Sequence, residues 1–359
     1  MPDSERDWEE TQAHWDKFLA EMRLARAAVG ATYAGAWFRG QTHSWKLTPS
    51  IFRDIPKLEA EIQDLEAKLM AYRHKLEKAR SFLRRRAMDL EDEVTTRLSR
   101  DVSALAKQLE RLKQRRPAEG HVPGEGRAFV EYRFRSAVHH QSSWQTLAEM
   151  QHYCVPTRLL DWTESFIHAL AFALEKYADR LAILWINDRY SEEPPQVLRF
   201  HRLQCDHAMP DGSREPDTPT VWVLNPYKLA EASKGRNVLW DPTLNPLDDY
   251  FKLFVDDQPD PSRRFSLPIP ILSPWRDERV AAQRGVFTCH GTDIRPLEEQ
   301  LTSRTVRAVQ LTPEAAIHGV RFLSEVGGLD RFAMFRDKDS LGRKTRDEFL
   351  SLPLKRKDA

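Results

Sequence analysis

From Lys57 to Arg116 the chain contains neither glycine nor proline, and a stretch that long without a breaker leaves few folds open. Leu58, Ile62, Leu65, Leu69, Tyr72 and Leu76 recur at steps of four and three, and Val94, Leu98, Val102, Leu105, Leu109 and Leu112 repeat the rhythm. A seam of that period predicts helices paired side by side, knob into hole. Its phase is lost between about Arg80 and Asp92, where Arg84-Arg85-Arg86 and Glu91-Asp92-Glu93 crowd together. A turn is expected there, giving a hairpin with antiparallel arms. The alternative is one long kinked helix that pairs with a second copy. At ~1.5 Å per residue, each arm of ~25 residues would reach roughly 35–40 Å. The segment holds 16 Lys/Arg against 11 Asp/Glu. That excess reads first as the solvated face of a coiled coil. Nucleic acid stays open as a partner, although the aromatic interleaving used by single-strand binders is missing.

The other residues must supply the core. A chain of 359 residues can bury one large core, or one core with an accessory element. Its net charge of +1 excludes a general polyanion binder, so any such role needs a local patch. No apolar run of ~18 residues suggests a membrane span, and the acidic start Met1-Pro2-Asp3-Ser4-Glu5 does not read as a secretory leader. Cys154, Cys205 and Cys289 are scattered, without metal-ligand spacing, so no metal is expected and a reducing cytoplasm is.

Short elements are expected on either side of the hairpin. Asp7–Met22 reads as an amphipathic helix and Gly30–Arg39 as a turn leading into a strand. Ile51-Phe52-Arg53 reads as an anchored loop, and Arg127–Met150 as one or two helices. A loop at Cys154–Trp162 precedes a buried helix from Phe166 to Tyr177. Strands are expected at Leu181–Ile186, Val221–Leu224, Gln283–Cys289 and Ala308–Leu311, with a helix starting after Asn225-Pro226. Residues 188–220 and 241–265 read as surface loops. Without a regular βαβ beat the expected class is α+β, a compact mixed domain carrying an inserted antiparallel helical hairpin. Residues 1–55 and 118–350 would form the domain and 56–117 the insertion.

Three separated segments carry the candidate chemistry. In the first, Phe38-Arg39-Gly40-Gln41, arginine offers a planar fork that matches phosphate or carboxylate, and glycine allows close approach to the backbone. The second, His152-Tyr153-Cys154-Val155-Pro156-Thr157-Arg158-Leu159-Leu160-Asp161-Trp162-Thr163, packs many polar groups around a stiffening proline. Asp161 or Thr163 suits the cap of the following helix, and Arg158 could equally pair with Asp161 as internal glue. In the third, Ala282-Gln283-Arg284-Gly285-Val286-Phe287, an amide able to donate and accept precedes a glycine. Taken alone, that segment also suits a bulge in a core strand.

These segments, in this order, resemble the FRG domain family, whose middle motif reads H-Y-G-x-P-T-R-L-L-D-W-T. Cys154 stands where the family has glycine, which implies a right-handed or extended backbone at that point. The resemblance spans roughly residues 30–55 and 120–345 and skips the helical insertion. The order of motifs is in turn similar to ADP-ribosyltransferases, and NAD is the substrate that likeness implies. Arg39 would clamp the pyrophosphate, with Gly40 and Gln41 beside it. His152 or Arg158 would add a polar contact oriented by Asp161. Thr163 and Ser165 would line the ribose, and Gln283 would position the acceptor. Gln283 cannot act as a carboxylate base; Asp277 or Glu278, close in sequence, could take that role. The resemblance thus implies a transferase or NAD glycohydrolase acting as a toxin or phage-defence effector. A module that binds a nucleotide or nucleic-acid end without turnover stays equally open, with the hairpin recruiting a protein or a second copy. So does a purely structural network of Arg39, Arg158 and Asp161.

Overall fold

The computed structural model describes residues 2–31, 35–86, 93–117, 121–136, 142–189, 206–208, 214–216, 218–242, 244, 250, 253–254, 265–273, 278–327, 341–342, 344–346 and 349. In chain order these form α1 (Pro2–Val29), β1 (Trp37–Gln41), a 3-10 turn (Ser50–Phe52), α2 (Ile55–Arg85), α3 (Glu93–Lys113), α4 (Glu125–Arg135), α5 (Ser143–His152), β2 (Leu159–Thr163) and α6 (Phe166–Arg189). There follow β3 (Asp206–Ala208), β4 (Arg214–Pro216), β5 (Thr220–Leu224), α7 (Pro226–Lys234), β6 (Ile269–Ile271), α8 (Glu278–Ala282), β7 (Gly285–Cys289), α9 (Leu297–Gln300), β8 (Val306–Gln310) and α10 (Pro313–Glu325). Two units result: Met1–Thr48 with Leu159–Asp248 and Phe265–Ala359, and Pro49–Arg158 with Asp249–Arg264. Among the described residues no helix is long and apolar enough to cross a membrane.

The first unit is built on a six-stranded antiparallel sheet in the order β6-β7-β2-β1-β5-β8. Strands and helices thus mix without βαβ units, and the class is α+β. Successive side chains alternate between the faces. Phe38, Val221, Val223 and Val309 turn to one face, beneath Trp15, Phe18 and Met22 of α1, Leu170 and Leu174 of α6, and Ala315 and Ala316 of α10. Trp37, Leu160, Trp162, Trp222, Leu224 and Val286 turn to the other, with Leu47, Leu229 and Leu297 packed on them. Each large side chain so buried stabilises the fold by about 1.5–3 kcal/mol. β5, flanked by strands and covered on both faces, is buried at all five positions, and so reads in the sequence as an unbroken apolar run.

Gly40 sets how closely α6 lies on the sheet. A Cβ at that position would come within 1.7 Å of the Ala169 carbonyl oxygen and 2.7 Å of the Ala173 nitrogen. Only glycine lets the helix backbone ride directly over β1. α6 is also longer than expected. Leu181–Ile186, read from the sequence as a strand, belongs to this helix, because a short apolar run carries no period that separates the two states. Asn225 accepts from the N–H groups of Tyr227 and Lys228 and Gly235 closes α7 in a left-handed conformation, so the expected helix start holds. Within the range read as loop 188–220, β3 and β4 pair as a short hairpin; most of 241–265 lies outside the described residues.

The second unit is helical. α2 and α3 pack as the expected antiparallel hairpin through Leu58, Ile62, Leu65, Leu69 and Leu109, with Val102, Leu105 and Leu112 beside them. One seam position shifts: Val94 is 58% exposed, and its neighbour Thr95 is buried instead. Cross-helix ion pairs hold the open end of the hairpin, Glu59 with Arg116 and Glu66 with Lys113 at 2.8 Å. The expected one or two helices after Arg127 are α4 and α5, the latter opened by a reciprocal cap between Ser142 and Gln145.

Candidate functional site

β1 and β2 lie at the centre of the sheet, yet they are bonded at a single pair, Phe38 with Thr163. Each makes five pairs with its other neighbour. On the side of Gly40 and Gln41 the ladder between them stops, and Arg39 occupies the break. Its Nη1 donates to the main-chain oxygen of Asp161 at 2.6 Å and lies 3.6 Å from the Asp161 carboxylate. The arginine side chain is 15% exposed and the aspartate 56%. By alternation Arg39 shares its face with Trp37 and Gln41 and stands opposite Trp222 across the β1–β5 ladder. Gln41 is buried and accepts from the Trp222 indole N–H at 2.8 Å, while Trp162 donates to Thr288 at 3.0 Å. The result is a nearly enclosed guanidinium among tryptophans at a break in the sheet, beside an exposed carboxylate.

Thr163 and Gln283 also meet, though through the backbone: the Thr163 hydroxyl donates to the Gln283 carbonyl at 2.6 Å and accepts from the Ser165 N–H at 3.0 Å. Glu164 N–H donates to the Arg284 carbonyl at 3.1 Å. These bonds clamp the entry of α6 onto the turn before β7, where Arg284 takes a left-handed φ of 49°. Capping of α6 falls to Ser165, whose hydroxyl accepts from the His168 N–H at 3.5 Å. Asp161, proposed for that task, sits mid-strand instead. The expected loop at Cys154–Trp162 likewise ends in a strand, because Leu159–Thr163 pairs along its whole length with β7. Gly40 does not admit a ligand, since α6 fills the space before it.

His152 and Arg158 belong to the second unit. Arg158 is wholly buried and donates from Nε and Nη2 to Glu125 at 2.6 and 2.5 Å. Tyr250 donates its hydroxyl to the same carboxylate, and the guanidinium lies over the rings of Phe254 and Phe52 at 4.2 and 5.4 Å. Neither a ligand contact nor a pairing with Asp161 fits that enclosure. His152 is half-buried at the end of α5, its ring edge-on to Tyr153. Beyond it Cys154 has a φ of 60°, which corrects the right-handed or extended backbone expected there. Cys154 N–H donates to the Gln151 carbonyl and Val155 N–H to that of Met150, the paired bonds that close a helix through a left-handed residue. Glycine is the natural occupant of such a position, and here Cys154 takes it.

The twelve residues His152–Thr163 thus contain one helix end, one half of a buried ion pair and one interior strand. A profile of the FRG domain matches residues 93–181, a segment that includes this motif. The chain carries an FRG domain. No curated protein and no solved structure matches it. The matched segment begins at the first residue of α3, so it takes in the second arm of the hairpin, which the resemblance was expected to skip. It ends within α6, leaving the Phe38–Gln41 and Ala282–Phe287 segments outside.

Three residues escaped the sequence reading. Glu125, partner of Arg158 in the FRG segment, lies among Pro117, Gly120, Pro123, Gly124 and Gly126, and only its place just after Gly124, at the start of α4, marks it out. His168 is half-buried on the first turn of α6, and the Nδ1 atom is enclosed without a hydrogen bond. Burial, and then the charge of Arg284, hold this imidazole below its ordinary pKa. Glu298 on α9 accepts from the Leu47 N–H at 3.0 Å, and burial raises its carboxyl above the usual range. Its neighbours Leu47 and Leu297 pack on the same sheet face as Trp37 and Trp162. The carboxylates offered earlier are less informative: Glu278 opens α8, and Asp277 lies outside the described residues.

Proposed function

We propose that this FRG-domain protein handles a nucleotide, NAD or a close relative, with Arg39 as the anchor for its phosphates. The observation that carries the reading is the Arg39 guanidinium at the break between β1 and β2, fixed by a main-chain carbonyl and still open to solvent. A planar fork held in place loses little freedom when it takes a phosphate in two parallel bonds. Gln41, whose amide oxygen is taken by the Trp222 indole, and the buried tryptophans around it form the wall behind this guanidinium.

Turnover of NAD, by transfer of ADP-ribose or by hydrolysis, is favoured by Glu298, whose neighbours Leu47 and Leu297 pack on the sheet face that Arg39 shares. A half-buried carboxyl whose pKa burial raises is a group that can hold or move a proton. An NAD-consuming activity would suit a toxin or a phage-defence effector. Binding without turnover is favoured by Gln283, whose backbone carbonyl is engaged in holding α6 and whose amide cannot serve as a base. Purified protein incubated with NAD should release nicotinamide under the first reading. Under the second, NAD raises the melting temperature and no product forms. If NAD, ADP-ribose and ATP neither react nor stabilise the protein, the nucleotide reading is wrong.

A further inference from the structure

The outer face of α3 presents a line of positive charge that the nucleotide reading does not use. Positions 93, 97, 100, 104, 107 and 111 recur at steps of four and three, so they share one face of the helix. They are Glu93, Arg97, Arg100, Ala104, Lys107 and Arg111, and all are exposed. After Glu93 the line is cationic or neutral throughout. Asp101, four residues after Arg97, and Glu110, three after Lys107, border the line on its two sides without interrupting it. Among the described residues none of the four cations is in an ion pair, whereas Lys68, Lys113 and Arg116 of the same hairpin each meet a carboxylate. These four face water along one line of α3.

We propose that this stripe binds the phosphate backbone of a nucleic-acid duplex without reading its sequence. From Arg97 to Arg111 the line is ~21 Å long at ~1.5 Å per residue, comparable to about six base pairs at ~3.4 Å per step along one strand. Three of the four cations are arginines, whose guanidinium suits phosphate. The line carries no aromatic residue, so it offers no platform for unstacked bases, which favours a duplex over a single strand. Nor does it carry a large apolar residue for insertion into a lipid surface. The proposal stands apart from the Arg39 site and survives if that site fails.

The test is fluorescence anisotropy with labelled 20-base-pair DNA and RNA duplexes, from 50 to 200 mM KCl. Four backbone contacts give a slope of log K against log salt of about −3.6, or roughly a hundredfold weakening across that range. The variant Arg97→Gln/Arg100→Gln/Lys107→Gln/Arg111→Gln should keep its circular dichroism and lose most of that slope. A variant removing equal charge from α2, Lys57→Gln/Lys75→Gln/Lys78→Gln/Arg85→Gln, should keep binding within a few-fold. The idea is overturned by absence of duplex binding at 50 mM KCl or by a stripe variant that binds like wild type. Equal losses in both variants, tighter binding of a single-stranded 20-mer, or capture by phosphatidylserine vesicles but not by duplex would overturn it too.

Discussion

Two arginines, one in each unit, carry the same charge in opposite circumstances. Arg158 is wholly buried, gripped by both oxygens of Glu125 and sandwiched by aromatic rings. Arg39 donates to the Asp161 carbonyl, lies 3.6 Å from the carboxylate of the same residue and retains a window to solvent. Both belong to motifs that looked equally suited to binding. The contrast shows that a charged residue in a dense motif is as readily cement as site. What separates the two is the partner: a matched, buried carboxylate consumes the fork, whereas a backbone carbonyl orients it.

The largest expected effect lies on the Arg158 side. Arg158→Ala strands the Glu125 carboxylate and should cost ~3–5 kcal/mol, read as a fall in the denaturation midpoint of the second unit. If Arg158→Ala is as stable as wild type, the sealed pair has been misjudged. Next comes Gly40→Ala, which drives a Cβ into the α6 backbone. A loss of about 3 kcal/mol is expected, at the upper end of the overpacking range; a loss under about 0.5 kcal/mol would mean α6 does not ride on β1.

Arg39→Lys sharpens the comparison from the other side. A point charge cannot reproduce the fork, so nucleotide affinity should fall about tenfold or more with little change in melting temperature. Replacing Cys154 with glycine relieves a left-handed non-glycine residue and should stabilise by roughly 1 kcal/mol. A destabilising Cys154→Gly would show that the thiol has a further role. The smallest effect concerns His168. Its folded pKa lies below the ordinary 6.5, so as pH falls the unfolded chain takes up the proton first. Stability should therefore drop from about pH 6.5 downward until the folded imidazole titrates as well. In His168→Gln that part of the drop disappears, which thermal melts between pH 5.5 and 7.5 would register.

The hairpin and the α+β class were legible because they rest on period and on the absence of breakers, both properties of contiguous residues. Strand β5 was legible as a contiguous apolar run, and the start of α7 from Asn225-Pro226 just after it. The Leu181–Ile186 run misled because six apolar residues fit a strand or a buried helix equally well. Leu159–Thr163 was hidden as a strand by its polar aspartate, which pairing with β7 accommodates on an exposed face. Of the candidate site, motif order suggested that Arg39, Thr163 and Gln283 serve one cleft, but not the Arg39–Asp161 and Thr163–Gln283 bonds, since main-chain acceptors leave no mark in a sequence. The fate of Arg158 could not be read at all. Its partners Glu125 and Tyr250 lie 33 residues before it and 92 after it, and nothing local links them.

Hydrogen exchange with and without ADP-ribose tests the Arg39 anchor most directly, because it reports where a ligand sits without presuming any chemistry. The account expects slowed exchange in peptides covering Trp37–Gln41 and Leu159–Thr163, and no slowing there in Arg39→Lys at the same ligand concentration. Protection confined to other segments, or identical protection in wild type and Arg39→Lys, would contradict it.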